Sequence, residues 1–132
     1  MTRKDLTPDE IVSLLDSGPG RVAELVAGLS AAQLATPPAP GDWSVRDIVA
    51  HLLACDDVWG AAIARIAAEE HPTIKAMNPR TWIAQTDYFS RPFDALWSAY
   101  AAQRAALVAL LRALPPEGWA RAGTRVGAWR PM

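Results

Sequence analysis

The chain has 132 residues, 51% of them hydrophobic, so it can bury one core without a metal ion or a disulfide. Its 13 Lys and Arg residues nearly balance 14 Asp and Glu residues, for a formal net charge of −1, which favours neither nucleic acid nor an anionic membrane as a partner. Cys55 is the only cysteine, which excludes an intramolecular disulfide, and no apolar segment reaches the ~20 residues that a membrane span needs. We therefore expect a single cytoplasmic domain over residues 1–132.

The first predicted helix begins at Thr7, an N-cap residue followed by Pro8 and by Glu10, which completes a capping box. Its apolar residues keep nearly one phase to about residue 29. Gly18-Pro19-Gly20 interrupts this pattern, because proline removes a backbone donor and glycine adds flexibility. The pattern indicates either two segments or one kinked helix, followed by a short turn capped at Ser30.

The second predicted helix runs from Val45 to about Glu70, with Ser44 as N-cap and Asp47 in place of the usual Glu of a capping box. His71 precedes Pro72 and is therefore biased away from helical geometry. The helical period places seven residues on the inward face, with His51 on its flank: Val45, Ile48, Leu52, Cys55, Trp59, Ala62 and Ile66.

The segment from Pro72 to Arg91 is rich in aromatic residues, so we expect it to be partly helical and packed against the helices. The third predicted helix begins near Ser90 or Arg91, with Pro92 in its first turn, and ends at Pro115-Pro116. Seven of its residues follow heptad spacing: Phe93, Trp97, Tyr100, Arg104, Leu107, Leu111 and Leu114. After one more turn near Glu117–Ala120, the remaining residues contain no fourth long helix.

These faces predict an all-α helical bundle with three main helices. Its expected core is made of large apolar residues that recur on single faces of the three helices: Ile11, Leu15, Leu25, Val26, Ile48, Leu52, Trp59, Ile63, Trp97, Leu107 and Leu111. Three helices with strong apolar faces leave one groove open, which predicts a symmetric homodimer with Trp129 as a candidate anchor.

The pattern W-S-x6-H-L, from Trp43 to Leu52, resembles the second helix of the DinB-like superfamily. The resemblance continues through residues 69–73, 78–82 and 110–119. It implies an antiparallel four-helix bundle of the up-down-down-up type, here without its fourth helix. The superfamily includes thiol-dependent transferases and isomerases similar to maleylpyruvate isomerase, and its members typically hold a divalent metal with three histidines. Only the first of those histidines has a counterpart here, at His51.

Two interpretations of His51 follow. A neutral imidazole on an inward flank is a good metal ligand. In the alternative, His51 has a purely structural role. His71 lies about 30 Å further along the helix axis, too far to share a metal. Cys55, one turn from His51, is either a second ligand or a small buried apolar residue, and Asp47 is either part of that stripe or a helix-start carboxylate.

Tyr100 and Arg104 form a second candidate pair, one turn apart on the third helix. They would present a hydroxyl and a guanidinium to an anionic or thiol-bearing small molecule beside His51. In the alternative, the Arg104 side chain runs along the core and carries its charge to solvent.

The resemblance implies a metal-dependent thiol transferase or hydrolase, using zinc or nickel, with an incomplete metal site. The alternative is a metal-free helical module that binds a partner or itself. Because His51 alone matches the family's ligands, we expect the isolated monomer to bind divalent metal weakly or not at all.

Overall fold

The computed structural model describes residues 5–127. Three long helices dominate it, α1 (Pro8–Val26), α3 (Val45–Ala68) and α5 (Phe93–Ala113). The connections contain short helices α2 (Ala31–Ala35) and α4 (Pro79–Ile83) and 3₁₀ turns at Tyr88–Ser90 and Pro116–Ala120. Strands β1 (Thr73–Lys75) and β2 (Thr124–Val126) form a small sheet. The predicted all-α bundle with three main helices is confirmed.

The helix starts that the sequence predicts are present. The Thr7 and Ser44 hydroxyls each accept the amide of the third helical residue, whose side chain returns to the cap backbone. Asp47 completes the second of these boxes, so its carboxylate has the helix-start role. At Gly18-Pro19-Gly20 the structure resolves the open alternative, because α1 continues through Pro19 as one helix.

Helix α5 lies between the other two long helices. It packs against both α3 and α1. Val49 of α3 shares a cluster with Leu96 of α5, and further along both helices Ile63 and Val108 share a second cluster. Because the residue numbers of the contacting pairs rise together on both helices, α3 and α5 run parallel.

Helix α1 runs antiparallel to α5. Trp97 Nε1 near the start of α5 donates to the carbonyl oxygen of Pro19, whereas Arg112 near its end pairs with Asp16. The three long helices are therefore up, down and down, the first three directions of the type that the resemblance implies.

The predicted inward face of α3 is wrong. Ile48 and Trp59 are 47% and 46% exposed, and Leu25 of α1 is 82% exposed. Of the predicted core, Leu111 alone is fully buried, while Ile11, Leu15, Val26, Leu52, Ile63, Trp97 and Leu107 are half-buried. On α3 the buried residues are Val49, Ala50, Leu53 and Ala54. The buried face is thus displaced by one residue from the predicted one, because α4 packs on α3 beside α5 and these four residues share one cluster with Ile83 of α4 and Leu96 of α5.

The sheet was not predicted. Its strands are parallel, with Ile74 opposite Arg125. His71 leaves helical geometry as predicted and has φ of 41°. A Cβ at Gly123 would lie 2.7 Å from the carbonyl oxygen of Pro72, so the approach of the second strand requires glycine there. The pairing holds residues 124–126 beside the C-terminal half of α3.

No helix within residues 5–127 combines the length and the apolar character that crossing a membrane requires. Trp129, the predicted anchor of a dimer, lies outside the described residues.

Candidate functional site

His51 lies half-buried on the side of α3 that α5 does not cover. Its Nε2 is 3.3 Å from Cys55 Sγ, one turn further along, and its ring centroid is 5.1 Å from that of Trp43. Burial, and then the charge of Arg80, lowers the pKa of His51 below its ordinary value. The imidazole is therefore neutral at pH 7 and has a lone pair available for a metal or a proton.

Cys55 forms a neutral pair with His51. Burial, and then the neighbouring Asp56 carboxylate, raises the pKa of the Cys55 thiol. A thiol with a raised pKa is protonated at neutral pH, so the pair is not the thiolate and imidazolium of an activated nucleophile. As a metal donor, Cys55 would have to lose its proton when the metal binds.

Two aromatic side chains and one cation border this pair. Trp43 is 37% exposed, its ring meets that of Phe89 at 6.2 Å between centroids, and Arg80 lies 5.5 Å from its centroid. The residue after Trp43 is Ser44, the fully buried N-cap of α3, so the backbone beside Trp43 is fixed by the start of the helix. The arrangement gives His51 an accessible, partly aromatic surrounding in which an organic molecule would have apolar contacts.

These residues do not form the three-ligand metal site that the resemblance implies. Within residues 5–127, no three His, Cys, Asp or Glu side chains lie close enough together to hold a metal ion. The other histidine, His71, contacts the Thr124 hydroxyl at 2.8 Å beside the sheet. His51 Nδ1 is buried without a hydrogen-bond partner among the described residues, although a metal-bound histidine usually has one there.

Arg104 forms an ion pair with Asp56 that the sequence interpretation did not foresee. Its Nε and Nη2 donate to the two Asp56 carboxylate oxygens, both at 3.0 Å, and both side chains are about seven-eighths buried at 13% and 14% exposure. The guanidinium also lies 5.1 Å from the Tyr100 ring centroid. Its charge is thus matched by Asp56 and does not reach solvent, which is a correction to the alternative in which it did. A role for Tyr100 and Arg104 in binding a small molecule stays a prediction.

Asp57 is a polar centre that the sequence interpretation missed. It accepts hydrogen bonds from Trp82 Nε1 at 2.9 Å, from the Tyr88 hydroxyl at 2.5 Å, and from Gln103 Nε2. Burial, and then the bond to Asp57, raises the pKa of Tyr88 to about 12. Two adjacent aspartates within an apolar helix were the available signal, since carboxylates in such a position need partners.

A cavity of about 660 Å³ opens beside the C-terminal half of α3. The sheet and the residues that follow its first strand form the opposite wall of the cavity. Trp59, Ile66 and Met77 belong to the apolar part of the lining. Arg65, Lys75 and Arg125 also line it. Its size is in the range of small-molecule sites, about 300–1,000 Å³. No signal for it exists in the helical pattern, because one wall depends on strand pairing between distant segments.

Together, the three helix directions define a bundle of three long helices within residues 5–127. His51 lies half-buried on the second of these helices. A model of the DinB superfamily matches residues 14–132, and the chain belongs to that superfamily. No functionally characterised protein in a curated collection matches the chain.

A solved structure has the same fold. It is YfiT from Bacillus subtilis, described as "a probable metal-dependent hydrolase with an unusual four-helix bundle topology". The two share 22% sequence identity and a TM-score of 0.75, over 93% of this chain and 72% of YfiT. At this identity the similarity establishes the fold.

Proposed function

We propose that this chain has a metal-dependent hydrolase-like role in which His51 Nε2 is one metal ligand and the remaining ligands are supplied by Cys55 and by another chain. The observation that carries the proposal is the position of His51, half-buried on α3 with its Nε2 3.3 Å from Cys55 Sγ and its ring centroid 5.1 Å from that of Trp43. Membership of the DinB superfamily and the description of YfiT support it. The thiol-transferase variant of this activity stays a prediction.

The direct test is calorimetric titration of the purified chain with Zn²⁺ and Ni²⁺ under reducing conditions. With one or two donors in reach, we expect binding weaker than about 1 μM, the affinity that corresponds to about 8 kcal/mol. His51→Ala should remove the binding that is present, and Cys55→Ser should weaken it if the thiol is the second donor.

His71→Ala is the matched control, because His71 lies by the sheet and contacts Thr124. Binding that persists in His51→Ala but disappears in His71→Ala would contradict the proposal. Micromolar or tighter binding that depends on His51 would show that Cys55, a carboxylate or another chain completes the site.

A second candidate is self-association, and a specific observation favours it. Ile48 and Trp59 on α3 and Leu14 and Leu25 on α1 are all exposed, with Leu14 at 51%. Both helices pack against α5, so these side chains lie on parts of α1 and α3 that α5 leaves uncovered. Exposed apolar surface of this kind tends to be covered by association, and a two-fold dimer is the commonest arrangement.

A further inference from the structure

We propose that the cavity between α3 and the β1–β2 sheet binds a small amphipathic anion, an aliphatic carboxylate whose chain lies on the apolar wall and whose carboxylate meets Arg125. The site is distinct from His51, because Asp57 at its near end is about 9 Å further along α3. The inference goes beyond the proposed metal-dependent role and does not require a metal.

The apolar half of the site comes from both walls. Trp59, Ala62 and Ile66 lie on successive turns of α3. Ile74 and Met77 line the cavity from the segment that follows α3. Trp59 is 46% exposed although it lines the cavity, so its ring has free surface for a ligand. An aliphatic chain that covers these side chains would gain about 25 cal/mol for each Å² of apolar surface removed from water.

The charged half of the site has one sign. Arg125 is opposite Ile74 in the parallel pair, and residues directly opposite in a sheet project to the same face. Arg125 therefore lies on the same face of the sheet as Ile74, which lines the cavity. Arg125 makes no ion pair or side-chain hydrogen bond with another described residue. Lys75, next to Ile74 in the strand, projects to the opposite face of the sheet.

The other charged residues of the lining are already matched. Arg65 pairs with Glu69 and donates to the carbonyl oxygen of Thr73. Asp57 accepts from Trp82, Tyr88 and Gln103, so its carboxylate is directed to those donors. An apolar wall beside one unpaired cation is complementary to a carboxylate with an aliphatic chain, and not to a neutral or cationic amphipath.

The test is calorimetric titration of the full chain with decanoate below its micelle concentration, with a chelator present so that metal plays no part. Decanol and decyltrimethylammonium serve as neutral and cationic probes of the same chain length. We expect decanoate to bind at least about tenfold more tightly than either, since a charge-assisted contact accounts for at least that factor.

Variants locate the binding. Arg125→Glu should weaken decanoate binding by about tenfold or more, whereas Arg21→Glu, an exposed arginine of α1, should leave it unchanged. Ala62→Phe should weaken binding by filling the cavity, with circular dichroism to check folding. Equal binding of decanol, unchanged binding in Arg125→Glu, or no binding of decanoate to the full chain would each overturn the inference.

Discussion

Arg104 Nη1 on α5 donates to the carbonyl oxygen of Leu15 on α1 at 3.0 Å. Leu15 is four residues before Pro19, and proline has no amide hydrogen to complete the helical bond to that oxygen. The arginine therefore supplies the donor that the helix lacks, while its other nitrogens bind Asp56 on α3. One side chain in the central helix links all three long helices.

This relationship predicts an energetic coupling between Arg104 and Pro19. Arg104→Met should lower the free energy of unfolding by about 3–5 kcal/mol, because it leaves the buried Asp56 carboxylate without its partner. Pro19→Ala restores an amide donor to the Leu15 carbonyl, so it should stabilise the Arg104→Met chain by about 1 kcal/mol more than it stabilises the unmodified chain. Urea denaturation of the four chains measures the coupling.

Arg112→Met is the control for charge removal. Arg112 pairs with Asp16 at the surface, with both side chains more than half exposed, so its loss should cost at most about 1 kcal/mol. Additive effects of Arg104→Met and Pro19→Ala would show that the arginine does not replace the missing donor.

The orientation of α3 predicts different costs for two truncations on neighbouring turns. Leu53 is 1% exposed, so Leu53→Ala should cost about 2–5 kcal/mol of unfolding free energy. Ile48 is 47% exposed, so Ile48→Ala should cost less than about 1 kcal/mol in a monomer. Thermal or chemical denaturation at a dilution that keeps the chain monomeric compares them. The reverse order would mean that α3 presents its other face to α5.

We expect the hydroxyl of Tyr88 to stabilise the folded chain. Tyr88→Phe removes a donor to Asp57 and should cost about 1–2 kcal/mol. Tyr100→Phe is the matched control, since the Tyr100 hydroxyl has no hydrogen-bond partner among the described residues, and it should cost less than about 0.5 kcal/mol. Equal costs would show that the Tyr88 bond adds nothing.

The two tyrosines also predict the alkaline titration of the folded chain. The pKa of Tyr88 is raised to about 12, first by burial, and burial likewise raises the pKa of Tyr100. Stability from these groups is fully present below their ordinary value near 10 and is lost as pH rises through the folded value. Ultraviolet absorbance should show little tyrosinate at about pH 10 in the folded chain, and much more after urea is added.

His51 predicts a loss of stability on mild acidification. The pKa of His51 in the folded chain lies below the ordinary histidine value of 6.5, so the unfolded chain binds the proton more readily. The stability contribution is present above that value and falls as pH drops through 6.5 toward the folded pKa. The unfolding free energy of His51→Gln should change less than that of the unmodified chain between about pH 7.5 and pH 5.5. A His51→Gln slope equal to that of the unmodified chain would refute this account.

Self-association is tested by light scattering coupled to size exclusion at micromolar concentration. We expect about twice the chain mass of 14.2 kDa. Leu25→Glu combined with Ile48→Glu should return the mass to that of one chain, because both side chains are on the uncovered parts of α1 and α3. Ala109→Glu, on an exposed position of α5, should leave the dimer intact. A single-chain mass for the unmodified protein would exclude this interface.

The sequence by itself determined the starts of α1 and α3 and the order of the three long helices. Caps such as Thr7 with Glu10 and Ser44 with Asp47 act over three residues, so local chemistry suffices to place them. The motif from Trp43 to Leu52 also led to the superfamily that the family comparison confirms. In the candidate site, the contact between His51 and Cys55 follows from their one-turn spacing.

Only the tertiary structure decided which face of α3 is buried, because that helix is apolar on two sides and the choice depends on where α4 and α5 pack against it. The partner of Arg104 was equally out of reach, since Asp56 is 48 positions away. The pairing of Ile74 with Arg125, which forms one wall of the cavity, joins segments about fifty residues apart. Interactions at such separations depend on how whole helices pack, and no periodic pattern in the sequence records them.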